Sequence, residues 1–154
     1  MSVIRDIYSY LAGQVISVAG IIPQAFDLSQ LPNTVETAIL PCRLLTPMSP
    51  KGEARDGQFI ALGQLTSVTW RLTDLMLWRA VASGIGLEDI AGVLVDYADA
   101  YLDMIRHHRS MGQAQCHVTG YRFVYGTFEW PDQSGRWYDG VSCELDIEEF
   151  KSGC

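Results

Sequence analysis

Val141-Ser142-Cys143-Glu144-Leu145-Asp146-Ile147-Glu148 alternates apolar and polar side chains without a break. A strand sends successive side chains to opposite sides, so Val141, Cys143, Leu145 and Ile147 share one face. Ser142, Glu144, Asp146 and Glu148 share the other. The stretch Trp137–Phe150 therefore reads as a half-buried strand with one greasy and one acidic face, and with no catalytic group among its apolar residues. A second strand, Cys116–Trp130, reaches it through the turn Pro131-Asp132-Gln133-Ser134-Gly135-Arg136.

Working outward, Leu87–Arg109 carries Leu87, Ile90, Leu94, Tyr97, Tyr101, Leu102 and Ile105 at helical spacing. Arg106, His107, His108 and Arg109 close it, where positive charge suits the helix dipole. Upstream, Gly63–Ala82 reads as a long strand or hairpin. Its alternation is interrupted at Asp74, which predicts a bulge near Thr73-Asp74. Thr37–Thr46 reads as a strand that Pro41 restricts to an edge or bulged position. Phe26–Asn33 reads as a loop or short bridge. A first helix, capped by Ser2, is expected over Val3–Ala19, with Val3, Ile7, Tyr10, Leu11, Val15 and Val18 mostly on one face.

The expected class is α+β: a mixed, mostly antiparallel sheet with two helices on one face, in the order α-β-β-α-β-β. One domain is expected over residues 1–154, with a protruding loop at about 47–58. That length supports a core without staples, and 48% hydrophobic with 19% charged residues is too apolar for a disordered chain. The formal net charge of −7 disfavours a grip on phosphates, which needs clustered Lys and Arg. Cys42, Cys116, Cys143 and Cys154 show no metal or disulfide spacing and read as reduced thiols. Val15–Ile22 is apolar but much shorter than the ~20 residues of a membrane span, so no membrane association is expected.

Chemistry is sparse. Gly84-Ile85-Gly86 lacks the rest of a nucleotide fingerprint. His107 and His108 diverge on a helix, and Cys116 and His117 face opposite sides of a strand, so neither pair makes a metal site. Asp96, Asp99 and Asp103 lie on the polar side of their helix and read as a solvated face. Ser134, Ser142 and Cys143 lack the partners that activate a nucleophile. No catalytic, cofactor or metal residue is assigned, and an enzyme is not expected.

Aromatic residues are in surplus. Tyr121, Phe123 and Tyr125 share one face of the first hairpin strand, while Val118, Gly120, Val124 and Phe128 share the other. A loop covering the second side explains this, and so does a subunit interface built from Tyr121, Phe123, Tyr125, Phe128 and Trp130. The loop around Met48, Lys51, Glu53 and Arg55 reads as a surface excursion or as an arm that contacts a partner.

The order of parts resembles the tail terminator (tail-completion, head–tail joining) proteins of long-tailed bacteriophages. The likeness lies in the opening Met1-Ser2-Val3-Ile4-Arg5-Asp6-Ile7-Tyr8-Ser9-Tyr10-Leu11, the middle β region, the helix ending near His108, and the aromatic hairpin closing on Trp137–Glu148. It implies a hexameric homo-oligomeric ring that ends the tail tube and meets a head-completion or neck protein. DNA would pass through the lumen without specific binding. The chain would belong to the virion after assembly in the host cytoplasm. Glu144, Asp146 and Glu148 are then candidates to face the lumen or a neighbour. Another connector, neck or tube component, or a small non-enzymatic α+β binding domain, are the alternatives.

Overall fold

The alternation at 141–148 belongs to the longest ladder of the molecule. The computed structural model describes residues 3–47, 58–62, 65–81, 87–131 and 133–152. The elements are α1 (Val3–Ala12), β1 (Gln24–Phe26), a 3-10 turn (Thr37–Ile39), β2 (Cys42–Thr46), β3 (Gln58–Leu62), β4 (Leu65–Ala80), a second 3-10 turn (Leu87–Asp89), α2 (Ala91–His107), β5 (Cys116–Glu129) and β6 (Trp137–Ser152). The sheet runs β1-β2-β4-β6-β5, and β3 pairs with the first half of β4. Among the described residues, only the β1–β2 pair is parallel. The class is α+β with a mixed sheet.

Pairing with β6 sorts the other strands by face. Leu145 sits opposite Leu72 and Tyr121, and Cys143 opposite Asp74 and Phe123. On this side Leu45, Leu72, Met76, Val141, Cys143, Leu145 and Ile147 join Ile7, Tyr8 and Leu11 of α1 and Leu94, Tyr97 and Tyr101 of α2 in one core. The helices do not form a tight two-helix layer: α1 packs at β2, and α2 packs over β5 and β6. The opposite face holds a second core of Cys42, Leu44, Leu75, Leu77, Phe128 and Tyr138, with Val35, Leu31, Ile39 and Leu40 laid over them. The Trp130 indole donates to the Pro32 carbonyl (3.2 Å) and the Tyr138 hydroxyl to that of Val35 (2.7 Å), tying this segment across the sheet.

Several boundaries move for identifiable reasons. α1 ends at Ala12, not Ala19: Gly13 and Gln14 close the last turn, and Val15 is exposed rather than on the apolar face. Pro41 brings no N–H to a ladder, so β2 starts at Cys42 and residues 37–39 form a 3-10 turn. A three-residue strand, β1, lies just before the stretch read as a loop. The irregularity of β4 falls at Trp78, between Leu77 and Arg79, while Asp74 keeps regular register. Of the loop expected at about 47–58, residues 48–57 lie outside the described residues, as do the break at Ser83–Gly86 and Ser2, while Gln58 already begins β3.

At Gly140, opposite Leu77, the β4 backbone comes so close that an added Cβ would overlap the Met76 carbonyl oxygen. Gly140→Ala should therefore push the two central strands apart and cost about 3 kcal/mol or more in a urea melt, the upper end of overpacking penalties. A midpoint equal to that of the native chain would contradict this contact.

Candidate functional site

Two places in the fold concentrate polar chemistry, and they differ in access. The first is internal. Arg43 on β2 and Asp74 on β4 both point to the helix side and are almost wholly buried (1% and 0% exposed). Arg43 Nη2 donates to Asp74 Oδ2 at 2.6 Å and Nε to the same oxygen at 3.2 Å. The guanidinium also donates to the carbonyls of Leu11 (3.0 Å), in the last turn of α1, and Gln14 (2.8 Å), just beyond it. The Tyr101 hydroxyl donates to Asp74 Oδ2 at 2.8 Å, and the guanidinium lies 5.9 Å from the Tyr101 ring centre.

Burial on its own would lower the Arg43 pKa, but Asp74, together with Tyr97 and Tyr101, outweighs it and holds the guanidinium above its ordinary range. Burial, reinforced by the Asp74 charge, pushes the Tyr97, Tyr101 and Cys143 groups well above theirs. The Tyr97 hydroxyl faces the same charges without a hydrogen bond of good geometry. Burial likewise pushes the Cys42 thiol up to about 12. Both thiols are buried, Cys143 beside the pair and Cys42 in the second core, and their raised pKa values disfavour the reactive thiolate at neutral pH.

The second place is the β5 end of the sheet. Among the described residues, β5 has a strand neighbour on one side only. A bulge lies between Val118 and Gly120, and the Val118 N–H is taken by the Arg109 carbonyl (2.8 Å). From Gly120 to Glu129 the ladder to β6 is regular, which leaves a straight outer edge. Between this edge and α2 lies an open groove of about 460 Å³, walled by Leu102, Ile105 and Arg106, by Arg109, and by Val118 to Tyr121. Arg106 reaches Asp103 at 3.4 Å. Arg109 makes no side-chain hydrogen bond or ion pair among the described residues.

The residues expected at a subunit interface separate here. Tyr121 (51% exposed) and Tyr125 (45%) stand out on the helix side of β5. Phe123 between them is half-buried, edge-on to Tyr101 with ring centres 6.0 Å apart. Phe128 and Trp130 are not at an outer surface: they pack under residues 26–40, which cover that part of the second face. The acidic wall also changes. Glu144 is buried, Glu148 is half-buried, and Asp146 accepts from Arg71 Nε at 2.7 Å. Arg122 stands directly opposite Glu144 in the ladder, so the face is charge-balanced rather than acidic. Met48, Lys51, Glu53 and Arg55 lie outside the described residues.

Among the described residues, no three His, Cys, Asp or Glu side chains gather as metal ligands, and no helix is long and apolar enough to cross a membrane. His108 instead accepts or donates at Nδ1 to the Tyr10 hydroxyl (2.6 Å), joining the end of α2 to α1. Sequence reasoning missed Arg43 and Asp74. Their signal was a lone charge inside each of two apolar strand runs, Cys42-Arg43-Leu44-Leu45 and Leu72–Leu77. Comparison of the sequence with protein-family models and with curated proteins finds no match.

Removing either partner of the buried pair strands the other charge. Arg43→Met and Asp74→Asn should each cost about 3–5 kcal/mol in denaturant melts. The double substitution Arg43→Met with Asp74→Asn should cost less than the sum of the singles, because no lone charge remains. Additive losses would show that the two side chains do not act as a pair.

Proposed function

We propose that this chain is a subunit of a ring that terminates the tail tube of a long-tailed bacteriophage and joins it to the head or neck. The observation that carries the reading is the β5 edge: ten regular residues ending the sheet, with Tyr121 and Tyr125 exposed along it. Tyrosine combines a large apolar area with a polar tip and few rotors, which makes it a favoured interface residue. An unpartnered strand edge is also a liability for a lone domain, and a neighbouring copy relieves it. The order of helix, strands, helix and aromatic hairpin is compatible with the same family.

In this reading the role is geometric and non-enzymatic. Copies meet side by side through their sheets, and six of them close a ring whose two faces meet the tube protein and a head-completion or neck protein. DNA passes through a lumen that does not bind it, consistent with an acidic chain. The virion is then where the chain works. The buried Arg43–Asp74 pair fixes the subunit, and the β5 end makes the contacts.

Tyr125→Asp tests this division. Melts should agree with the native chain within about 0.5 kcal/mol, since the side chain is half exposed. Rings seen by negative-stain imaging should be lost, and tails made with the variant should go unfinished. Phe128→Asp, by contrast, puts a charge into the second core and should unfold the chain. Undiminished rings and finished tails with Tyr125→Asp would overturn the use of this edge.

A further inference from the structure

Before β1, the strand at the end of the sheet opposite β5, lies a turn anchored in the core by Val18 whose other apolar residues the core does not use. Just before β1 the chain makes a tight turn in which Val18 and Ile21 exchange both backbone hydrogen bonds, each at 2.9 Å. Ala19 (φ 53°) and Gly20 (φ 75°) both adopt left-handed conformations, the geometry of a type I′ turn. Alanine is a poor residue for that position, because its Cβ crowds the following carbonyl. The turn still holds, and it sets Ile22 (57% exposed) and Ile21 (41%) out on the surface. No hydrogen bond reaches the carbonyls of Ala19 and Gly20 among the described residues.

We infer that the Val18–Ile22 turn of one copy seats in the α2–β5 groove of the next, so that neighbouring subunits join head to tail through opposite ends of the sheet. This inference rests on the ring reading and names its contact. The two surfaces match in kind. Ile21 and Ile22 meet the apolar walls Leu102, Ile105, Val118 and Tyr121 of the groove. The unpaired Arg109 guanidinium at the rim can donate to the free turn carbonyls, as Arg43 does to the carbonyls at the end of α1. Asp27 directly follows β1 and accepts from the Ser9 hydroxyl, while Arg106 and Arg109 line the groove, so the two surfaces carry charges of opposite sign. Charge complementarity of this kind selects the orientation of approach.

The direction follows from placement. β1 and β5 are the two ends of one sheet, so a copy offers its turn to one neighbour while its groove accepts the turn of another. Such a heterologous contact closes into a ring when its rotation allows, whereas a two-fold contact would stop at a dimer.

A pair of variants reads this directly. Ile22→Asp blocks the turn, and Tyr121→Glu blocks the groove; both side chains are more than half exposed, so circular dichroism and melts should match the native chain. By size-exclusion chromatography with light scattering, the native chain should assemble and each variant alone should be monomeric. Their equimolar mixture should form a dimer and stop there, because one intact turn meets one intact groove. Adding Arg109→Glu to the Ile22→Asp chain, whose groove is the one used, should weaken that dimer about tenfold or more, as loss of a charged interface partner does.

A mixture that stays monomeric, a variant that assembles like the native chain, or a native chain that never self-associates would each overturn the contact. The two readings fail separately. A mixed dimer alongside tails that finish normally without this protein would keep the contact and reject the terminator role. Correctly finished tails alongside a monomeric mixture would do the reverse.

Discussion

The guanidinium of Arg43 sits where four elements converge, and its partners decide how they fit. Asp74 from β4 neutralises it, the carbonyls of Leu11 in α1 and Gln14 just after it accept from it, and Tyr101 from α2 donates to the same carboxylate. A charge this deep is tolerated only when its donors are matched, so each contact constrains the others. Sliding β4 by one residue would carry Asp74 to the far face and strand Arg43. We read the pair as a device for register: it sets β2 against β4 and stops α1 at a fixed point. Similar logic acts at the other end of β4, where Arg79 joins Asp139 of β6 to Asp89 just before α2 (2.9 and 2.6 Å).

With the centre held this way, the molecule spends its apolar surface unevenly. The helix side is filled by α1 and α2, and residues 26–40 fill the second face near β2 and the far ends of β5 and β6. Among the described residues, large apolar side chains left exposed include Tyr121 and Tyr125 on β5 and Ile21 and Ile22 before β1, besides Val15, Val81, Val95, Trp137 and Phe150. Exposed apolar side chains are ordinary when scattered. Tyr121 with Tyr125, and Ile21 with Ile22, stand as pairs beside the outermost described strands, which is why we connect these four to assembly.

The β6 alternation was legible because burial on one face demands it, and every expected apolar position there is buried. α2 was legible for the same reason at a period of 3.6. The failures share a cause: they depend on partners far along the chain. Val15 fits the α1 stripe by spacing, but the helix stops early because Gly13 and the distant Arg43 close it. Asp74 looked like a break in β4 when it was the centre of a buried pair. Phe128 and Trp130 looked like surplus because the cover, residues 26–40, has no periodic signal of its own. Of the expected interface, Tyr121 and Tyr125 stand exposed and Phe123 half so. Nothing local in the sequence marked the α2–β5 groove or the parallel pairing of β1.

The central claim, that the β5 edge is where copies meet, is open to one measurement. Amide hydrogen exchange should be compared between the isolated chain at low concentration and the same chain assembled on purified tail tubes. Outward-facing amides of an unpaired edge exchange quickly, and pairing or packing slows them. The account predicts that amides within 120–129 slow by about tenfold or more on assembly, while those of β4, already paired on both sides, change little. Unchanged exchange along β5, with protection appearing only elsewhere, would contradict it.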